Sequence, residues 1–194
     1  MNLPPIYLAS GSPRRRELLA QIGVNFEVLP IDIDESVQDD EPAEVYVKRV
    51  TIAKAQAGLA RIEQQNLPLR PVLAADTAVI VDKQILGKPA DAQQAREFLQ
   101  KLSGRQHQVL SGVALATDRN VSMRSQLNQV RFAKLSDTEI DWYVGTGEGL
   151  DKAGAYAVQG LAAQFIAHID GSYSGIMGLP LFETRQLLQE ILNQ

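Results

Sequence analysis

The sequence predicts an α/β fold, on three observations. Short apolar or β-branched runs alternate with helical patterns along all 194 residues, the alternation of a sheet covered by helices. Composition is that of an ordinary globular chain, 45% hydrophobic and 22% charged. A chain of this size buries roughly 70% of the surface it exposes when unfolded. No internal repeat, low-complexity tract or linker interrupts it, so residues 1–194 read as one domain, a compact unit with a cleft.

The elements follow in order. Ile6 to Ala9 reads as a buried strand running into the turn Ser-Gly-Ser-Pro. Ser12 is then a helix N-cap with Pro13 at the first helical position. Leu18, Leu19 and Ile22 form that helix's buried side, and Gly23 is its stop. Phe26 to Leu29 is a second strand. An acidic loop holding Asp32, Asp34, Glu35, Asp39, Asp40 and Glu41 precedes a helix from Pro42 to about Gln64, with Val45, Arg49, Ala53 and Ala57 along one stripe. Val72 to Val81 is a buried strand, turned by Asp82-Lys83 into a hairpin with Ile85-Leu86. Asp91 to Leu102 is a helix with Gly104 beyond its end. Strands follow at Val109 to Ala116 and Leu127 to Ala133. Ser136 and Glu139 make a capping box ahead of Ile140, Trp142 and Tyr143. Phe165 to Ile169 is a last strand, and Leu179 to Leu192 a closing amphipathic helix with Pro180 in its first turn.

Composition also excludes functions. There are no cysteines, so disulfides, thiolate metal sites and cysteine nucleophiles are ruled out. Two distant histidines, His107 and His168, are a poor start for a zinc site or a Ser-His-Asp triad. The net charge of −4 disfavours a general nucleic-acid or anionic-membrane surface. The N-terminus MNLPPIYLAS lacks the basic and long apolar regions of a secretory signal, and no apolar run reaches the ~20 residues that span a bilayer. The expected location is the cytoplasm.

Three segments carry chemistry. In LASGSPRRRELL, Arg14, Arg15 and Arg16 occupy a first helical turn, where the helix dipole disfavours cations. Free N–H groups after a strand and small-residue turn make a phosphate site; a solvated basic face is the alternative. In VLAADTAVIV, Asp76 interrupts a buried apolar run, which is costly unless the carboxylate is paired or bound to metal. Metal ligation and activation of a water are the functional readings, a backbone-capping turn Asp the bland one. In Gly87-Lys88-Pro89, a stiff loop presents an ammonium suited to phosphate. Lys54 lies on a mostly apolar helical stripe, from which it either reaches inward or snorkels to solvent. Walker A, dinucleotide-fingerprint and nucleophile-elbow patterns all fail. Basic groups with misplaced carboxylates suit a divalent ion and a polyphosphate.

LASGSPRRRELL at 8–19, AADT at 74–77, GKP at 87–89, DKAGAYAVQG at 151–160 and GLPL at 178–181 together resemble the Maf nucleotide pyrophosphatases over nearly the whole chain. The resemblance implies a long central mixed sheet with flanking helices and a deep cleft between two lobes, like that of the inosine-triphosphate pyrophosphatases. It implies hydrolysis of nucleoside triphosphates to monophosphate and pyrophosphate with a divalent cation, Mg or Mn. Arg14, Thr77 and Gln159 match the specificity positions of the dTTP- and UTP-preferring branch. Asp76 matches the proton acceptor and Glu35 a residue helping to hold the metal. Ser10, Arg15, Lys54 and Lys88 match phosphate contacts. Ala75 departs from the Gly more usual before the Asp.

The expected partner is therefore a nucleoside triphosphate, with no nucleic acid, no membrane, and a homodimer left open. The alternative function is a nucleotide-binding regulator of septation or cell division with little catalysis. Asp76 and Lys88 favour an enzyme, because a binding module needs no water-activating carboxylate.

Overall fold

The structure, a computed structural model, describes residues 4–192. Its strands are β1 (Ile6–Leu8), β2 (Phe26–Val28), β3 (Val72–Val81), β4 (Gln84–Leu86), β5 (Gln106–Ala116), β6 (Val121–Phe132) and β7 (Ile166–Asp170). The helices are α1 (Pro13–Gln21), α2 (Ala43–Gln64), α3 (Ala92–Leu102), α4 (Asp137–Gly145), α5 (Tyr173–Met177) and α6 (Leu181–Leu192). The strands form one mixed seven-stranded sheet in the order β2-β1-β3-β5-β6-β7, with β4 paired to β3.

β3 creates the cleft. Along one edge it pairs antiparallel with β5 from Val72 to Ile80. Along the other, β1 pairs in parallel only at Val72 and Leu73, and β4 begins only at Val79. Ala74 to Ala78 therefore have no strand beside them at that edge, and Asp76 lies at the centre of the gap. Open α/β sheets bind ligands where strand connections diverge in this way.

Three layers of apolar packing fix the walls. Leu18, Leu19, Leu187 and Leu188 from α1 and α6 pack on Ile6, Leu8, Leu73 and Val113. On the opposite face Val47, Val50 and Ala55 of α2 cover Ala74, Ala78 and Leu110. The distal lobe gathers Leu99, Leu102, Ile140 and Tyr143 around Val79, Val130 and Phe132. Gly112, the partner of Asp76 across β3–β5, sets the height of α2. A Cβ there would lie 2.7 Å from Thr51 Oγ1 and 2.8 Å from Val47 Cγ1, so a larger residue would lift the helix off the sheet.

Several expected local devices are present. Asp82 and Lys83 both adopt left-handed φ, 50° and 64°, the pattern of a type I′ hairpin turn. Asp91 caps α3, and the Ser136–Glu139 box is complete. Other expectations are corrected. The buried stripe of α2 runs through Tyr46, Val47, Val50, Thr51, Lys54, Ala55, Gly58 and Ile62, whereas Val45 is half exposed. The buried face mixes Val47, Val50 and Ile62 with Thr51, Lys54, Ala55 and Gly58, so apolar spacing alone does not single it out. Ile22 is exposed because it lies just past the end of α1. Trp142 is half exposed. Ser12 heads α1 without a capping side-chain bond. β6 starts six residues earlier than expected, and Pro180 precedes α6, its carbonyl accepting from the Thr184 N–H and hydroxyl.

His107 is 2% exposed, edge-on to Phe132 and Tyr156, with Nε2 2.8 Å from the Tyr156 hydroxyl. Burial pushes its pKa down from 6.5 to about 4. Between those values the unfolded chain binds the proton and the native state does not, so stability falls as pH drops through that window and is complete above it. The difference corresponds to at most about 3 kcal/mol. Denaturant titrations at pH 7 and 4.5 should show His107→Gln losing less stability than wild type; equal losses would remove His107 as the cause.

Candidate active site

The nine residues singled out in the sequence all line one cavity of about 740 Å³ at the gap beside β3, a volume typical of small-molecule sites. Its floor is built around an ammonium. Lys54, one turn beyond Thr51 on the closely seated α2, donates from Nζ to Asp76 Oδ1 at 2.8 Å and Glu35 Oε2 at 2.7 Å. Lys54 thus reaches inward. The Lys54 and Asp76 side chains are 8% and 7% exposed, while Glu35 is 41% exposed. Asp76 Oδ2 is buried without a hydrogen-bond partner among the described residues.

The acidic loop is held so that Glu35 faces this floor. Arg49 bonds both carboxylate oxygens of Glu41 and the Ser36 carbonyl, and the Tyr46 hydroxyl donates to the Glu35 carbonyl at 3.2 Å. Burial first, then the negative charges of Asp76 and Glu35, push the Tyr46 phenol up; it stays a donor.

The α1 wall follows from the turn after β1. Ser10 Oγ accepts from the Ser12 N–H at 3.2 Å and from Arg15 Nη1 at 3.3 Å. Arg15 Nε donates to the carbonyl of Gly178 at 2.8 Å, tying this wall to the end of α5, where Gly178 has φ +114°. Burial lowers the Arg15 pKa, and the charges of Asp76 and Glu35 oppose that shift. Arg14 lines the cavity without a hydrogen bond among the described residues, and Arg16 points to solvent.

The opposite wall carries Lys88, Lys152 and Gln159. The Gly87 carbonyl accepts from the Gly154 N–H at 3.0 Å, pinning the Lys88 loop to the 153–155 turn. Glu148 accepts from the Tyr143 hydroxyl at 2.8 Å and the Leu161 N–H at 2.9 Å, bracing the segment that bears Gln159. Thr77 Oγ1 lies 2.8 Å from Ser111 Oγ, which donates to the Gly175 carbonyl at 2.7 Å.

Among the described residues no group of three or more His, Cys, Asp or Glu side chains could enclose a metal ion. The two carboxylates still fit a hard divalent cation, because Asp76 Oδ2 is an unsatisfied buried anionic oxygen. Magnesium is commonly held by one or two carboxylates plus substrate phosphates and water.

Sequence reasoning missed Tyr46 and Ser111, and gave Lys152 and Tyr156 no role beyond their place in the DKAGAYAVQG segment. Ser111 carried the signal that exposed Asp76, a polar side chain inside an apolar run. Tyr46 would have followed from the correct face of α2, two turns before Lys54.

Comparisons with known proteins converge. The family model described as Maf-like protein matches residues 5–191. A dTTP/UTP pyrophosphatase of Aromatoleum aromaticum is 53% identical over 193 residues, covering 95% of this chain and 94% of the relative. The dTTP/UTP pyrophosphatase of Aliivibrio fischeri is 48% identical over 187 residues, covering 96% and 98%. The Staphylococcus aureus Ham1 protein shares the fold at a TM-score of 0.52, with 16% sequence identity and 98% of each chain covered.

Proposed function

Because the chain belongs to the Maf-like protein family, we propose that it is a nucleoside triphosphate pyrophosphatase that hydrolyses dTTP and UTP to the monophosphate and pyrophosphate. The observation that carries the reading is the buried, unpartnered Oδ2 of Asp76 beside a polyphosphate-sized cavity rimmed by cations. Asp76 Oδ2 takes a proton from water as the water oxygen bonds to the α-phosphorus. The bond from that phosphorus to the α–β bridging oxygen breaks, and pyrophosphate leaves with the bonding pair. Lys54 holds Asp76 Oδ1, so the carboxylate presents its other oxygen to the water. Ser10, Arg15 and Lys88 hold phosphate oxygens and spread the charge that develops on the leaving group. A divalent cation, Mg or Mn, held by Glu35 and Asp76 would neutralise phosphate charge when bound.

A panel of nucleoside triphosphates, with pyrophosphate and orthophosphate read separately, tests the reaction. In ¹⁸O-water the label is expected in the monophosphate; orthophosphate as first product would overturn the assignment. The cytoplasm, where nucleotide pools lie, is the proposed location. Among the described residues no helix is long and apolar enough to cross a membrane.

Base selection is proposed for Gln159, with Arg14 and Thr77 fixing the nucleotide beside it. A side-chain amide can meet both the O4 acceptor and the N3–H donor of uracil or thymine. Gln159→Ala is expected to lower kcat/KM for dTTP and UTP about tenfold, or about 1.4 kcal/mol, with weak purine hydrolysis little changed. Equal losses for dTTP and GTP would make Gln159 structural.

A further inference from the structure

β6 is covered along only part of its outer edge. β7 pairs with it from Gln129 to Phe132, and among the described residues no other strand lies beside Val121 to Asn128 on that side. At roughly 3.4 Å per residue this is an open edge of about 27 Å. The ladder fixes which backbone groups the edge presents. The Thr117 N–H donates to the Asn120 carbonyl at 2.9 Å, and the Phe132 N–H to the Arg105 carbonyl at 3.0 Å. Hydrogen-bonded pairs recur at every second residue of an antiparallel ladder, so in the unbroken β5–β6 register the even-numbered residues of β6 bond to β5. Val121, Met123, Ser125 and Leu127 therefore turn their N–H and C=O groups outward. Among the described residues only the Leu127 carbonyl is met there, by the Gln126 amide at 3.3 Å.

Exposed edges of this length are usually blunted by charge, proline or a bulge. Val121 to Asn128 contains no proline and one charged residue, Arg124, which is already paired with Glu190 of α6 at 2.9 Å. The irregularity of β6 lies beyond the open stretch, at Arg131 and Phe132. The side chains suit a second copy of the same strand. Met123 packs beside Val47 and Thr51 on the α2 face, and Leu127, on that face by alternation, is 45% exposed. About a two-fold axis at Ser125, Met123 of each copy lies opposite Leu127 of the other. Arg124 then faces Gln126, whose amide oxygen can accept from the guanidinium. Neighbouring registers fail. An axis at Arg124 opposes two guanidinium groups, an axis at Gln126 sets Met123 against Gln129, whose edge β7 holds, and an axis at Met123 carries Leu127 past the start of β6.

We propose that the open half of β6 pairs antiparallel with the same segment of a second copy, about a two-fold axis at Ser125, joining the two sheets into one. The occupant is a second copy because the edge is self-complementary in this register: its apolar positions exchange places under the two-fold, and its one charge meets a neutral acceptor. Such an isologous contact closes at two chains, so the edge recruits no third. It owes nothing to the catalytic reading above and stands or falls separately.

Sedimentation velocity on the full chain should show a wild-type dimer at micromolar concentration. Ser125→Pro removes an N–H that bonds nothing within one chain, and proline is tolerated where the N–H faces out of an edge strand. Ser125 faces its own copy, so the loss occurs twice per dimer. The dissociation constant should rise at least about tenfold, with far-UV circular dichroism unchanged. Ser125→Cys gives the chain its sole cysteine. Opposed Cα atoms of a hydrogen-bonded antiparallel pair lie about 5.5 Å apart, within disulfide reach, so mild oxidation should yield a covalent dimer that dithiothreitol reverses. Asp118→Cys, in the β5–β6 turn and away from the axis, measures chance collision and should crosslink far more slowly. A wild type that stays monomeric at high micromolar concentration overturns the inference. So does a dimer whose dissociation constant Ser125→Pro leaves unchanged, or a dimeric Ser125→Cys that crosslinks no faster than Asp118→Cys. If Ser125→Pro does not fold, the crosslinking comparison decides alone.

Discussion

Asp76→Asn is expected to reduce kcat for dTTP and UTP by roughly 10²–10⁴-fold, the usual cost of losing a general base. The substitution keeps side-chain size but turns the oxygen proposed to accept the proton into a donor or a neutral amide carbonyl. It also removes one of the two negative charges available to a cation. The fold should remain. The Asn carbonyl can still accept from Lys54, whose ammonium retains Glu35 Oε2 at 2.7 Å. The unpartnered Oδ2, a buried anionic oxygen in wild type, no longer carries charge. The unfolding free energy should therefore move by no more than about 2 kcal/mol. Turnover assays paired with thermal melts check both statements. Near-normal turnover would reduce Asp76 to a structural partner of Lys54, and loss of folding would make the charge itself structural.

What could be read in the sequence was what local chemistry determines. A carboxylate in the middle of VLAADTAVIV stands out in one dimension, because its cost does not depend on which strands flank it. The Asp82-Lys83 turn, the Asp91 cap and the Ser136–Glu139 box were legible for the same reason, each completed within a few residues. The inward reach of Lys54 was not. It requires α2 to lie close on β5, which Gly112 permits, and Gly112 is 58 positions from Lys54 in the chain and meaningful only once β5 is aligned with β3. The first half of β6, Val121-Ser-Met-Arg-Ser-Gln, is too polar to announce a strand and is held by its ladder to β5 from Val121 to Arg131. Tertiary pairing overrides propensity there. The five-residue α5 is too short to show a helical period; its Ser172 cap and Gly178 stop become visible only in three dimensions.

Lys54→Met should destabilise the protein by about 3 kcal/mol, and a divalent cation should restore part of that loss. Methionine matches the unbranched length of lysine, so the change removes charge with little lost packing. The two ion pairs are unequal. Glu35 is 41% exposed, and water screens its contact, so that pair contributes little. Asp76 is 7% exposed, and removing one partner of a buried pair typically costs about 3–5 kcal/mol, because the other charge is left without compensation. The low end applies here, since Asp76 faces a solvent-accessible cavity. Loss of the ammonium leaves the Glu35 and Asp76 carboxylates without the cation they share, so millimolar Mg²⁺ or Mn²⁺ should raise the melting temperature of the variant more than that of wild type. Melts with and without cation, in the absence of nucleotide, read this independently of turnover. If the variant melts like wild type, the ammonium is not what neutralises Asp76. If it is destabilised but indifferent to the cation, the two carboxylates do not form a divalent site, and Glu35 acts through Lys54 alone.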